Sequence, residues 1–319
     1  MESPAVRVAN QLAWELESRT SIELKVRTEI LCDDPEWKPK DFTQYEEHYI
    51  ETALGQRWCD TYLLKDGKIV GRSTAFSDGK RCAEVTYKDD HLDRQKFVVI
   101  KRTYPREEQA DWMNRPAPIN LLNVCREPLH VALPKAKSLG PDRVLDRDCD
   151  VFLFRGLRWR VPQDHVYYLD RATSIPLKVE SYRDEVARDN GQPLWVWTAE
   201  SLDQVQHHFI ALKSRHVSTK PLTTSIQHVE SVVFNKEYPS SAFWPVLQPG
   251  VTVLDTISNK NYKVPGGDRS NSDAEQQFST ASPVQAVPPQ DYGSVASAVS
   301  LGLGLAVFSV GIILWWYRR

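Results

Sequence analysis

What most limits the fold of this chain is a period of two. Between Ser21 and Ile30, Ile22, Leu24, Val26 and Ile30 fall on one side and Glu23, Lys25, Arg27 and Glu29 on the other, as a strand with one wet face requires. Further strand-like runs follow at short intervals, over 44–52, 56–64, 68–76, 80–87 and 97–102. Asp66-Gly67 and Asp78-Gly79 separate some of them, and Asp-Gly suits tight hairpins because it tolerates positive φ. Strands joined this way form an antiparallel meander, which needs no crossover helices.

A helix is predicted over 4–17, with Val6, Val8, Ala9, Leu12, Ala13 and Leu16 on a stripe suited to lying on a sheet. A short helix over 119–126, ended by Pro128, interrupts the strands. Strands then resume over 149–154, 165–169, 175–182, 194–198, 207–213, 225–235 and 250–256. The charged stretches 88–96 and 183–190 read as solvated loops. The expected fold class is α+β, mainly β: a long curved antiparallel sheet, an open half-barrel, with an N-terminal and a central helix as its lid. A sheet of so many strands must curl, split or close. The domain spans 1–264. Residues 265–293 are too poor in large apolar side chains for a core and read as a flexible linker.

The chain ends in a stretch of opposite character. No Asp, Glu, Lys or Arg occurs from Val295 to Tyr317, and roughly 20 apolar residues suffice to cross a bilayer as a helix. Residues 294–317 are therefore expected to form a transmembrane helix, followed by a basic stub, 318–319. Arg318 and Arg319 follow the span, whereas 274–294 before it contains no Lys or Arg. The positive-inside rule then predicts a single-pass inner-membrane protein with a cytoplasmic C-terminus and its domain outside the cytoplasm. The opening residues read as an amphipathic helix rather than an export signal. Either Met1 is not the natural start, or the domain is cytoplasmic and tail-anchored; the charge asymmetry favours the first.

Composition removes several functional classes. Forty Lys and Arg nearly balance forty-two Asp and Glu, so no electrostatic footprint for nucleic acid is present. Cys32, Cys59, Cys82, Cys125 and Cys149 show no CxxC and no ligand spacing with histidine. His207 and His208 are adjacent and would face opposite sides of a strand. Hydrolase and nucleotide-binding signatures are missing. No enzyme activity, cofactor or metal is expected.

Two stretches carry more than generic strand character. In one, Leu169 and Asp170 end a strand, Thr173 sits in the turn, and Pro176-Leu177 enter the next strand; in the other, Phe243 precedes Gly250, Val253 and Asp255. This succession, over Pro4 to Thr256, resembles the bacterial outer-membrane lipoprotein-carrier and sigma-E-regulator superfamily. The resemblance implies a curved half-barrel closed by helices, with an apolar cavity for acyl chains. Fixed by its C-terminus, this chain departs from soluble carriers, and its loops at 33–40 and 186–193 lack an obvious counterpart. A tethered sensor or local lipid-handling module fits better than a shuttle. Candidate lipid-contacting residues are Trp58, Tyr62, Phe152, Phe154, Trp195, Trp197 and Phe209, for which ordinary core packing is the alternative. Expected partners are a lipid acyl chain or lipidated protein, the membrane and another membrane protein. The competing expectation is a scaffold with a filled interior, serving protein contact at the membrane.

Overall fold

The computed structural model describes residues 3–32, 43–102, 117–124, 127–158, 161–219 and 222–266. The predicted linker after 266, transmembrane helix and basic stub lie outside the described residues, as do Cys125 and the loop at 33–40. No helix among the described residues is long and apolar enough to cross a membrane.

Helix α1 (Pro4–Glu17) opens the chain: Ser3 caps it by accepting from Val6 N (3.3 Å), and Pro4 fills its first turn, where a missing N–H costs nothing. Strands β1 (Ser21–Cys32), β2 (Gln44–Thr52), β3 (Arg57–Lys65), β4 (Lys68–Ser77), β5 (Arg81–Lys88) and β6 (His91–Arg102) follow. A segment of short elements comes next: α2 (Ala117–Asn120), β7 (Asn123–Val124), β8 (Glu127–Pro128) and α3 (Leu129–Ala132). Strands β9 (Lys137–Val144), β10 (Arg147–Arg158), β11 (Val161–Asp170) and β12 (Pro176–Tyr182) precede the one-turn α4 (Glu185–Asp189). The remainder is β13 (Trp195–Val205), β14 (His208–Thr219), β15 (Leu222–Phe234), β16 (Thr252–Asp255) and β17 (Lys260–Lys263).

Fifteen of these strands form one large, curved, open sheet in the order β17-β16-β6-β5-β4-β3-β2-β1-β15-β14-β13-β12-β11-β10-β9. It is two meanders zipped together where β1 meets β15, with Ile22 opposite Phe234 and Cys32 opposite Thr223. The Asp66-Gly67 hairpin forms as its residues require, with φ of 52° and 72°. One pairing breaks the antiparallel rule: β16 runs parallel to β6, Val253 opposite Val98.

Several sequence expectations change. The predicted helix over 119–126 is not one helix. After α2, Leu122 N closes a turn onto Ile119 O (3.1 Å), and Asn123 and Val124 pair with Pro128 and Glu127. Pro128 does not end a helix; it precedes α3, a position that needs no N–H from it. Strand β9 escapes sequence reading because it contains Gly140-Pro141, tolerated at a sheet edge and at a bulge. Stretch 88–96 is largely strand, since β6 starts at His91. Stretch 183–190 is ordered by Asp184, which caps α4 through Ala187 N (2.8 Å), and by Arg188, paired with Asp164 at 2.6 Å.

The sheet does not bury the same face throughout. Over β10–β14 the apolar face lies under α1: Val8, Ala9 and Leu12 pack with Phe152, Tyr167, Leu177, Val179 and Trp197. Over β5 and β6 the buried side chains are Ala83, Val85, Val98 and Ile100, covered by Trp244, Leu247 and Val251. Cross-strand register places Ala83 with Phe76 and Trp58, and Trp58 points away from its neighbour Cys59, which packs on Ile119 of α2. The second core therefore lies on the face opposite the helices.

Candidate functional site

Among the described residues, α1 and the stretch 117–124, with Leu129, Ala132 and Leu133 packed beside them, cover the helix face of the sheet. Helix α1 is clipped at both ends. Near its start, Arg7 Nη2 pairs with Asp150 Oδ2 (2.6 Å), Gln11 Nε2 donates to Ala172 O (2.8 Å), and Ser174 Oγ donates to Gln11 Oε1 (2.9 Å). These contacts grip β10 and the β11–β12 turn. Inside that turn Asp170, 2 % exposed, accepts from Thr173 N (3.0 Å) and Thr173 Oγ1 (2.6 Å), and Arg147 pairs with both its oxygens. Burial opposes its charge, yet Arg147 and Thr173 hold the carboxyl below its ordinary range.

At the other end, Glu15 Oε1 takes hydrogen bonds from Arg19 Nη2 (2.6 Å) and His208 Nδ1 (2.9 Å). Glu15 and His208 are buried. The His208 ring lies against Phe234 at 4.4 Å, and the Arg19 guanidinium covers the same ring at 5.0 Å. A charged group this deep is stable only when paired. The α1 stripe thus includes a buried glutamate, while Trp14 is exposed. Sequence reading missed Glu15, Arg19 and His208; their one local signal is the i,i+4 spacing of Glu15 and Arg19.

The second cover is the stretch 117–124. Ile119, Leu121, Leu122 and Val124 are buried against the sheet, and the Tyr167 hydroxyl donates to Asn123 O (3.2 Å). Between this cover and the sheet lies a cavity of about 10 Å³, lined by Arg19, Leu121, Ile175, Trp197, Phe209 and Ile210 among others. It has room for about one water-sized group. An acyl chain does not fit, so the expected partly empty hollow is nearly filled in this form. Two of the residues that line it, Trp197 and Arg19, each carry a buried nitrogen, Nε1 and Nε, without a hydrogen-bond partner among the described residues.

The structure divides the seven candidate aromatics. Phe152, Phe154 and Trp197 lie in the core beneath α1, with Trp195 and Phe209 packed against it. Trp195 also sits between His165 and His216, at ring distances of 6.1 and 5.4 Å. Trp58 and Tyr62 are not among them: they face the opposite side, Trp58 edge-on to His48 at 4.7 Å and Tyr62 beneath Arg72 at 5.3 Å. Alternation shows which residues share a face within one strand, but not which face receives the helices.

One further buried group stands out. Glu47, 5 % exposed, lies on the helix face with no hydrogen bond or ion pair among the described residues, and burial pushes its carboxyl up to about 8. No cluster of metal-ligating side chains is found among the described residues, and Cys32, Cys59, Cys82 and Cys149 form no disulfide with one another.

No protein-family model matches the chain. No curated protein matches it either. Solved structures that resemble it include a LolA superfamily protein from Nitrosomonas europaea, with 10 % identity, 76 % of this chain and 99 % of that chain covered, and a TM-score of 0.48. The Pseudomonas aeruginosa MucA/MucB complex matches at 14 % identity, with 81 % and 74 % covered and a TM-score of 0.28. The Mycobacterium tuberculosis lipoprotein LppX matches at 8 %, with 74 % and 97 % covered and a TM-score of 0.29. At such scores these likenesses assign no family, ligand or partner to the chain, and a shared fold would not by itself imply a shared function.

Proposed function

We propose that this chain is a non-catalytic, membrane-anchored binding domain that takes an acyl chain, free or attached to a protein, between the helix face of its sheet and the 117–124 cover. The reading is carried by the contrast between the covers: α1 is clipped by polar contacts at both ends, buried ones at Glu15, whereas 117–124 rests mainly on apolar side chains. Magnitudes favour an exchange. Exposing Ile119, Leu121, Leu122 and Val124 costs about 6–12 kcal/mol at about 1.5–3 kcal/mol each. At about 0.8 kcal/mol per methylene, burying a chain of roughly 12–15 methylenes offsets that cost. An acyl chain can thus replace the cover's own side chains without a preformed hollow. Anchoring by 294–317, with the domain outside the cytoplasm, would put the site beside a bilayer, where such chains reside; an envelope sensor would report occupancy to another membrane protein.

The test uses the full chain in membranes, incubated with a photoreactive long-chain acyl ester, irradiated and mapped by peptide mass spectrometry. Label on peptides containing Ile175, Trp197 and Ile210 is expected. Label confined to 294–317 would reject acyl binding. It would favour the second reading, a scaffold for protein contact, which the nearly filled interior supports.

A further inference from the structure

Two residues that line one small cavity each carry a buried hydrogen-bond donor that lacks an acceptor. Trp197 is 2 % exposed and the Arg19 side chain 10 %, and neither Trp197 Nε1 nor Arg19 Nε has a hydrogen-bond partner among the described residues. Orphaned buried donors are uncommon, because each costs about 1–3 kcal/mol. Both residues line the cavity under 117–124, and its volume of about 10 Å³ matches one oxygen-sized group rather than a chain.

We infer that this cavity is a head-group pocket for the carbonyl oxygen of an uncharged acyl ester, with Trp197 Nε1 and Arg19 Nε as its donors. The inference rests on the acyl-binding reading above and names the chemistry at the end of the chain. The charge balance selects the uncharged form. Arg19 is already neutralised by Glu15, which also holds His208. A carboxylate would bring a second negative charge beside Glu15 in a poorly hydrated pocket, where like charges repel strongly. An ester carbonyl accepts from both donors and adds no charge. Its chain then extends into the space that Leu121 and Leu122 occupy in the closed form.

Three photoreactive probes with one common chain decide the matter, applied to the full chain in membranes: a methyl ester, a free acid and a headless alkane. Labelling of the Trp197-containing peptide should be strongest with the ester, weaker with the alkane, which finds no acceptor for the two donors, and weakest with the acid, which meets the charge of Glu15. Arg19→Lys keeps a cation for Glu15 but loses Nε, and Trp197→Phe keeps an aromatic ring but loses the indole N–H. Each should cut ester labelling by roughly two- to tenfold, as expected for one lost hydrogen bond, and leave alkane labelling unchanged. If Trp197→Phe fails a thermal-melt check of folding, Arg19→Lys alone decides. Equal labelling by ester and alkane, or ester labelling indifferent to the folded variants, overturns the head-group inference while acyl binding stands. Stronger labelling by the acid overturns the preference for an uncharged group. If no probe labels the sheet peptides, the acyl-binding reading falls and takes this inference with it.

Discussion

Two covers lie on one face of the same sheet, and different forces hold them there. Helix α1 has both apolar packing and a polar clip at each end, Arg7 with Asp150 and Glu15 with Arg19 and His208. The stretch 117–124 has the packing and a contact from the Tyr167 hydroxyl to a backbone carbonyl. Apolar contacts are non-directional and can be exchanged for any other apolar surface. A buried ion pair cannot, because removing one partner strands the other. The comparison therefore assigns α1 to the permanent framework and 117–124 to the part a ligand can displace.

The largest expected effect strikes the clip. Glu15→Ala leaves Arg19 and His208 buried without their shared acceptor and should cost about 3–5 kcal/mol of stability, read from chemical denaturation of the full chain. A loss below about 1 kcal/mol, the level of a surface pair, would mean that α1 is not clipped there. Next come matched truncations on the two covers. Leu12→Ala under α1 should cost about 2–5 kcal/mol, and Leu122→Ala should sit at the low end of that range, because a cover that can settle closes part of the void. Leu122→Ala should also raise acyl labelling of the sheet. If Leu122→Ala cost as much as Leu12→Ala and left labelling unchanged, the distinction between the covers would be broken.

Titration sharpens the contrast between paired and unpaired burial. Glu47 has a folded-state value raised to about 8 by burial, so the folded state holds its proton where the unfolded chain releases it. Its contribution to stability is complete below the ordinary carboxylate range and declines as pH rises from there to about 8, by on the order of a few kcal/mol. Glu23 behaves oppositely: burial opposes its charge, but hydrogen bonds from Tyr238, Lys236 and His48 hold it at about 2. Its contribution is complete above the ordinary range and declines as pH falls towards about 2. Glu47→Gln should flatten the alkaline limb of the stability profile and leave the acid limb intact. An unchanged alkaline limb would show that Glu47 is not the group responsible. The smallest effect is expected at Arg7, whose side chain is 44 % exposed: Arg7→Ala should cost no more than about 1 kcal/mol.

Much of the fold was legible because its signals are local. The bounds of α1 follow from Ser3, Pro4 and an apolar stripe, and those of β2 from alternation between turn residues. The strands that escaped detection lacked that signal: β9 carries Gly-Pro at a sheet edge, and β17 is four residues of mixed polarity. The central helix was misplaced because 119–126 is apolar enough for a helix, yet Asn123 and Val124 find partners in Pro128 and Glu127 instead. The candidate site was half visible. Phe152, Phe154 and Trp197 could be named as aromatic and same-faced, but their company with Glu15, Arg19 and His208 joins segments nearly two hundred residues apart.

By itself, the sequence determined most strand and turn positions, the alternation of wet and dry sides along those strands, and the amphipathic character of the first helix. All of these depend on neighbours within a few residues. Tertiary structure alone decided which meander edges meet, so that β1 lies against β15, and which face each half of the sheet buries, helices covering one and Trp244 and Leu247 the other. It also decided that a glutamate, rather than the tryptophan beside it, points inward from α1. The physical reason is that alternation is symmetric: a strand with one dry face buries it equally well on either side, until another part of the chain arrives to cover it.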